Sequence, residues 1–462
     1  MSLNNEMRQN IQSNLDFSCS PTGEARKTGG EGSESLRTTN APESPARTNL
    51  IMEEIVEREN LKEALRRVKA NKGGPGVDGV TFGQLEDHLK QHWPAIREQL
   101  LSGTYKPQPV KRVVIPKPDG GVRKLGIPTV LDRFIQQAVM QVLQQRWDPE
   151  FSDHSYGFRP RKSAHQAIAK AQQYIAAGCS WVVDLDLEKF FDRVNHDRLM
   201  AQIAKRVDDR RLLKLIRAFL SAGVMENGLL GPSVEGTPQG GPLSPLLSNV
   251  VLDELDRELE RRGHRHVRYA DDCNIYVRSE RAGHRVMKSI TRFINQRLKL
   301  QVNETKSAVA RPQERKFLGF SFTDDPEIRR AVAPKALERF KDKIREITRQ
   351  AKGVSIETTV KRLATYMVGW RGYFGFCETP EVLIGLTRWV RLRLRCALWR
   401  QWKTPRRRRA ALLQLGVRPR LAANTAGSGR GPWYLARAKA LSVGASNAYF
   451  RSLGLPSLFE NY

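Results

Sequence analysis

The sequence predicts an α+β fold: a long region of mixed strands and helices, followed by a shorter all-helical module. Three observations carry that reading. Strand-like and helix-like stretches alternate from about residue 50 to residue 330, strand patterns vanish after residue 334, and positive charge gathers in the helical end. Of 462 residues, 78 are Lys or Arg against 49 Asp or Glu, a net charge of +29, and 40% are hydrophobic. The length and apolar content suffice for two or three cores. A charge of that size is tolerated when a polyanion neutralises it, so nucleic acid is the first partner class; a ribosomal or anionic-lipid partner is the bland alternative that composition leaves open.

Residues 1–49 are rich in Ser, Thr, Asn, Glu and Gly, carry five basic and six acidic side chains, and show no apolar periodicity, which predicts disorder. Ile51, Ile55, Leu61, Leu65 and Val68 then recur at helical spacing up to the turn Asn71-Lys72-Gly73-Gly74-Pro75-Gly76. Val113-Val114-Ile115 reads as a strand, and Lys117 to Arg123 as a hairpin turn into the next. Asp132 to Trp147 reads as a helix. Trp181 to Leu187 alternates apolar and acidic residues, a strand with Asp184 and Asp186 on one face. Val267 to Val277 reads as two short strands joined by a tight acidic turn.

Beyond residue 334, Leu337, Phe340, Ile344 and Ile347 mark one amphipathic helix, and Leu363, Met367 and Trp370 a second. A third runs from about Glu381 to Trp402 with Arg388, Arg391 and Arg395 along one side. Residues 335–462 hold 26 Lys and Arg against 7 Asp and Glu, so they supply +19 of the +29. The run Arg406-Arg407-Arg408-Arg409 lies between tryptophans and further apolar helix residues, which favours contact with a nucleic-acid backbone over a free tail. The five cysteines never fall at Cys-x-x-Cys spacing, so neither a zinc knuckle nor a disulfide framework is expected. No apolar run reaches bilayer length, and the chain is expected in the cytoplasm, away from membranes.

Adjacent Asp residues in a hairpin turn repel each other, and a divalent cation gives a reason for the pair Asp271-Asp272. Hard Mg²⁺ takes carboxylates together with phosphate oxygens, and two such ions can activate an attacking hydroxyl and stabilise a leaving pyrophosphate. An isolated Asp-Asp is more often just a polar turn. Here it is not isolated.

Tyr269-Ala270-Asp271-Asp272, inside a strand-turn-strand pattern, resembles the YxDD box of reverse transcriptases. About 85 residues earlier, Asp186-Leu187-Glu188-Lys189-Phe190-Phe191-Asp192 resembles its partner box. Between them, Gly236-Thr237-Pro238-Gln239-Gly240-Gly241-Pro242-Leu243-Ser244-Pro245 is similar to the most diagnostic block of group II intron reverse transcriptases. The stretches Asn71 to Val80, Ile115 to Pro128, Ser155 to Pro160, Leu300 to Lys306 and Lys316 to Phe320 fall in the family's order, the last closing the palm.

The resemblance implies a right-hand polymerase, with fingers and palm over residues 50–333, a helical thumb or maturase domain over 334–404 and a basic DNA-binding segment over 405–462. It implies catalysis by Asp186, Asp271 and Asp272, with two Mg²⁺ ions (Mn²⁺ substituting) on these and Leu187. Register favours Asp186 over Asp184 as the ligand. Lys117 and Arg123 would reach triphosphate, Gln239 the incoming nucleotide or template, Lys306 a phosphate and Arg159 the template. Phe191 would fill the space of a ribose 2′-hydroxyl while Phe190 turns into the core. Arg388, Arg391, Arg395 and Arg406 to Arg409 would touch nucleic acid.

The implied partners are intron RNA, an RNA template with a DNA primer, target DNA and dNTPs, with a dimer one option for the oligomeric state. The implied activities are RNA-directed DNA polymerisation, assistance to intron splicing and support of intron mobility. The absence of zinc-type Cys pairs near the C-terminal end resembles the endonuclease-lacking group IIC lineage. Two rivals share the motifs: a host-adopted reverse transcriptase in repair or defence, and an RNA-binding splicing factor with a vestigial polymerase.

Overall fold

The computed structural model describes residues 50–459 apart from 117–120, 227–228, 232–234, 238–239 and 352. The readings made for residues 1–49, and those for Lys117 and Gln239, lie outside the described residues. The chain divides into two compact units between Arg311 and Pro312. Among the described residues, no helix is long and apolar enough to cross a membrane.

The first unit contains two four-stranded sheets. In one, the order is β2 (Val122–Ile127), β1 (Val110–Pro116), β4 (Val224–Glu226), β5 (Leu229–Gly231). The β1–β2 pair is antiparallel from Lys111↔Ile127 to Pro116↔Val122, the hairpin that the turn residues predict. In the other sheet the order is β6 (Arg265–Tyr269), β7 (Asp272–Val277), β3 (Trp181–Leu185), β8 (Ala308–Ala310). Here β3 is central and antiparallel to both neighbours.

Val182 and Val183 are both buried, so the simple alternation expected of a half-exposed strand fails. A central strand covered on two faces buries consecutive residues. The helices Ala164–Ala176, Ser244–Arg261 and Glu280–Phe293 pack on this sheet, and Ile168, Leu252, Leu255, Val286 and Ile290 are buried.

The helix expected across residues 51–68 is two helices, Ile51–Ile55 and Arg58–Ala70. The Glu57 side chain accepts a hydrogen bond from the Asn60 N–H and starts the second, an N-cap that outweighs the continuous periodicity. The helix Val130–Trp147 starts at Thr129, whose hydroxyl accepts from the Asp132 N–H. Asp132 is itself buried, and accepts from Tyr105, Thr129 and the Gln108 N–H.

The second unit is built on the helices Pro334–Arg349, Ile356–Phe374 and Pro380–Gln401, at the places the periodicity predicts. Two boundaries differ from expectation. The stretch Lys316 to Phe320, read as closing the palm, leads into the hairpin β9 (Phe320–Phe322) and β10 (Arg330–Val332), which clusters with this helical unit. Fully buried Phe320 is ringed by Tyr373, Phe374 and Phe376 at 5.4–6.4 Å, and Arg330 pairs with Glu378 at 2.7 Å. Nor is 405–462 a detached segment. Ala445, Phe450, Leu455 and Leu458 pack into the same core as Phe340, Met367 and Val390, and the Leu458 N–H donates to Thr387 Oγ1 at 3.1 Å.

Candidate active site

The first unit encloses a cleft of about 1600 Å³. Asp186, Leu187, Asp271 and Asp272 line it, together with Arg123, Phe191 and Lys306.

The carboxylates reach one place through sheet register. β3 and β7 are aligned with Leu185 opposite Cys273, so the next step along each strand sets Asp186 opposite Asp272. Asp186 itself leaves the ladder. Its N–H donates to Ser307 Oγ at 3.0 Å and its carbonyl accepts from the Asn303 N–H at 2.8 Å, which turns the strand end toward the 301–307 loop. Lys306 from that loop places Nζ 3.4 Å from Asp186 Oδ2. The Leu187 side chain is buried, so any ligand it supplies is its main-chain carbonyl. Asp184 does not line the cleft.

Asp271 sits in the two-residue loop between β6 and β7, after Ala270 at φ 56°. A non-glycine residue there costs about 1 kcal/mol, so the surroundings must hold it. Two devices do so. Arg268, fully buried, donates to the Ala270 carbonyl at 2.9 Å while its other N–H groups reach Asp256, Asn249 and Ser155. The segment at Gly157 packs directly on the loop, and the Asn249 side-chain amide holds the Gly157 carbonyl at 2.9 Å. A Cβ on Gly157 would collide with the Ala270 backbone N and lie 2.9 Å from Tyr269 C. Sequence reasoning missed both devices; a lone Arg on a buried strand and an Asp on the apolar face of the 244–261 helix are the signal that could have found the first.

Burial raises the Asp271 carboxyl above the ordinary range, and the Asp186 charge adds to it while Arg123 opposes. Phe190 is buried and meets Phe191 edge-on at 5.2 Å, with the Phe191 ring on the cleft wall. Gly236, at φ 89°, lies so close that a Cβ would come 2.8 Å from the Phe191 carbonyl, and the Thr237 N–H donates to that carbonyl at 2.7 Å. Gly236 and Thr237 therefore set the height of Phe191.

Arg159 is a correction. It is buried, pairs with Asp148 at 2.8 Å and donates to the carbonyls of Ser152, Ser155 and Asp148. Its donors are consumed in holding the 148–155 loop, so it does not face template. In the second unit Arg388 is exposed, Arg391 is half-buried and Arg395 donates to the Ala445 carbonyl, which makes Arg395 a structural tie. Arg406 to Arg409 open the helix Pro405–Gln414; Arg408 lies over Trp399 at 4.5 Å and the other three are exposed.

Gly157→Ala is expected to displace the Asp271 loop. An ångström-scale misplacement of reacting groups costs roughly 10²-fold in rate, so any polymerase activity should fall by that order while helix content by circular dichroism persists. Unchanged activity would show that the loop does not depend on this packing.

Carboxylates at the ends of two adjacent antiparallel strands, facing a cleft with a basic hairpin on its wall, have the arrangement of a polymerase palm and fingers. Residues 115–322 match the reverse transcriptase (RNA-dependent DNA polymerase) family, and residues 337–415 match the group II intron, maturase-specific domain. Over these two stretches the chain is similar to the group II intron reverse transcriptase-maturases. The maturase match extends past residue 404, so Arg406 to Arg409 lie within it.

The chain is 39% identical over 234 residues to Protein YkfC of Escherichia coli K12, covering 49% of this chain and 61% of that one. It is 31% identical over 326 residues to Group II intron-encoded protein LtrA of Lactococcus lactis subsp. cremoris, covering 56% and 54%. The chain thus spans between half and two thirds of the length of these curated relatives. Among solved structures, a chain of a partial Cas6-RT-Cas1–Cas2 complex aligns at a TM-score of 0.35 and 27% identity, covering 53% of this chain and 42% of that one.

Proposed function

We propose that this chain is an RNA-directed DNA polymerase that extends a DNA primer on an RNA template, and that it also binds the parent intron RNA to assist splicing and mobility. The observation that carries the first half is the convergence of Asp186 with Asp271 and Asp272 in a cleft that Arg123, Phe191 and Lys306 share. The second half rests on the maturase-specific match and its excess of cations.

Two Mg²⁺ ions, with Mn²⁺ as a substitute, fit the donor set. Every candidate ligand is a hard oxygen, and a dication offsets the burial that raises Asp271 and the Asp186 charge that adds to it. Among the described residues no three His, Cys, Asp or Glu side chains close into a ready-made cage, so an ion would complete its shell with phosphate oxygens and water. Bound there, divalent cations would lower the pKa of the attacking 3′-hydroxyl and stabilise the charge on the departing pyrophosphate.

The chain's own groups supply the rest. Arg123 meets triphosphate from the fingers hairpin, where Lys117 joins it. Lys306 holds Asp186 in place through its ion pair. Gln239 reads the incoming nucleotide or template from the Gly-rich loop. Phe191 stands on the cleft wall where a ribose 2′-hydroxyl would go. Arg388, Arg391 and Arg406 to Arg409 take RNA or target-DNA phosphates in the second unit.

The test has two arms. Purified protein with dNTPs and Mg²⁺ is given an RNA template carrying a DNA primer, and a group II intron precursor is incubated with and without it at limiting Mg²⁺. Extension and accelerated splicing are expected. A protein that never extends the primer, with Mg²⁺ or Mn²⁺, loses the polymerase reading; one that leaves splicing unchanged loses the maturase reading.

Phe191→Ala should relax sugar selection. The ratio of kcat/KM for rNTP to that for dNTP is expected to rise about 10²-fold, because a steric clash against the wrong substrate is removed. A ratio that stays put would make Phe191 a packing partner of Phe190 only.

A further inference from the structure

From Val382 to Phe459 the sequence holds 16 Lys and Arg and not one Asp or Glu. Arginines there find no carboxylate from their own stretch, and several lie against aromatic rings instead. At one place those rings face solvent. Gly431 leads into the short helical turn Pro432–Leu435, whose Leu435 packs with Trp399, Leu412 and Leu441 in a small core. The turn is anchored from below, while Trp433 and Tyr434 remain 37% and 56% exposed.

Arg430 lies over the Tyr434 ring at 4.3 Å and donates to its hydroxyl. Arg437 and Arg393 lie over Trp433 at 5.7 and 5.9 Å, and the Arg393 Nε and Nη2 groups donate to Thr348 Oγ1. Single exposed aromatics need no explanation, but two side by side on one turn make a contiguous patch of the kind that marks an interaction site. Charge decides which ligand: a basic protein face would meet repulsion and a neutral one would leave the guanidiniums without counter-charge, whereas a polynucleotide offers phosphates to the guanidiniums and flat bases to the rings. A duplex hides its base faces by stacking. Only an unpaired strand presents both.

We propose that Trp433 and Tyr434 form a stacking platform for unpaired bases of a single-stranded nucleic acid, whose phosphates are held by Arg430 and Arg437. The inference rests on the reading of the second unit as nucleic-acid-binding, and adds a mode of recognition to it. Arg388 and Arg391 on the 380–401 helix sense phosphate alone; this platform senses strandedness. It distinguishes a looped or opened strand from a paired one without reading sequence, because every base has a face to stack.

The test uses the full chain and a fluorescein-labelled oligonucleotide, as single strand and as duplex, in both deoxyribose and ribose forms. Stacking contributes about a tenfold change in affinity per base, so Trp433→Ser/Tyr434→Ser should weaken single-strand binding by at least that much and leave duplex binding alone. Trp433→Phe/Tyr434→Phe should restore it. The slope of log Kd against log salt should be unchanged in the ring variants but fall by about one per phosphate contact removed in Arg430→Gln and Arg437→Gln.

Because the polymerase cleft also takes single strands, the contact is mapped by photocrosslinking with 5-iodouracil, which should label the tryptic peptide Gly431–Arg437. Labelling confined to other peptides, or equal losses on single strand and duplex, would overturn the platform. Wild-type protein that crosslinks to nucleic acid only through residues before Pro312 would overturn the broader reading of the second unit. Preference for the ribose or deoxyribose strand tells whether intron RNA or opened target DNA is the occupant.

Discussion

Asp271→Asn/Asp272→Asn is expected to lower primer extension by at least about 10³-fold, several kcal/mol of transition-state stabilisation, without destabilising the fold. The two halves of that expectation come from one observation. In the absence of metal, burial and the Asp186 charge both disfavour an ionised Asp271, as its raised carboxyl shows. Asparagine keeps the shape and removes the repulsion, so the melting temperature without metal should hold or rise.

Metal reverses the order. A ligand that binds only the folded state stabilises it by about 2.7 kcal/mol at a hundred times its Kd, so Mg²⁺ should raise the melting temperature of the wild type and leave the variant unmoved. Splicing assistance should survive in the variant, because the maturase-specific match lies outside residues 115–322. A variant that still extends primers, or that responds to Mg²⁺ as the wild type does, would remove these carboxylates from the metal site.

Why was this much of the site legible in the sequence? The carboxylates stand in short, local patterns. Asp271 and Asp272 lie at a hairpin turn that a two-residue gap between apolar strands announces, and Asp186 ends a run whose apolar residues mark a strand. The helices of the second unit were equally plain, since Phe340, Ile344, Met367 and Trp370 repeat at the spacing of one buried face.

What the sequence hid is what depends on distant packing. Gly157 meets Ala270 across 113 positions, and nothing in either neighbourhood says so. Arg159 stands in a motif expected to touch template, yet Asp148 and three carbonyls fold back on it. The boundary moved to Pro312 because Phe320 finds its aromatic partners among residues 373–376, and the C-terminal helices return to a core begun a hundred residues earlier. Periodicity tells which face is buried; it does not tell against what.

Arg268 shows how such a hidden contact bears on chemistry, and its replacement is the largest stability effect expected in the first unit. The guanidinium is fully buried, as is Asp256, and the two lie 2.6 Å apart. Arg268→Met strands the Asp256 carboxylate in the core with His266, at 3.8 Å, as the nearest titratable neighbour. Burial lowers the His266 pKa and works against its protonation. Breaking such a pair costs about 3–5 kcal/mol, or roughly 10 °C in melting temperature for a unit of this size. Stability alone would be an uninformative result, so the second variant matters more.

Arg268→Met/Asp256→Leu removes both charges, and apolar replacement of a buried pair is often neutral or stabilising; the melting temperature should recover. Polymerisation should not, because the Ala270 carbonyl then loses its donor and the Gly157 packing alone is left to hold the left-handed residue before Asp271. The expected signature is a lowered kcat with KM for dNTP little changed, since Arg123 and the rest of the cleft wall are untouched. If activity returns together with stability, Arg268 supports the fold and does not position the catalytic loop.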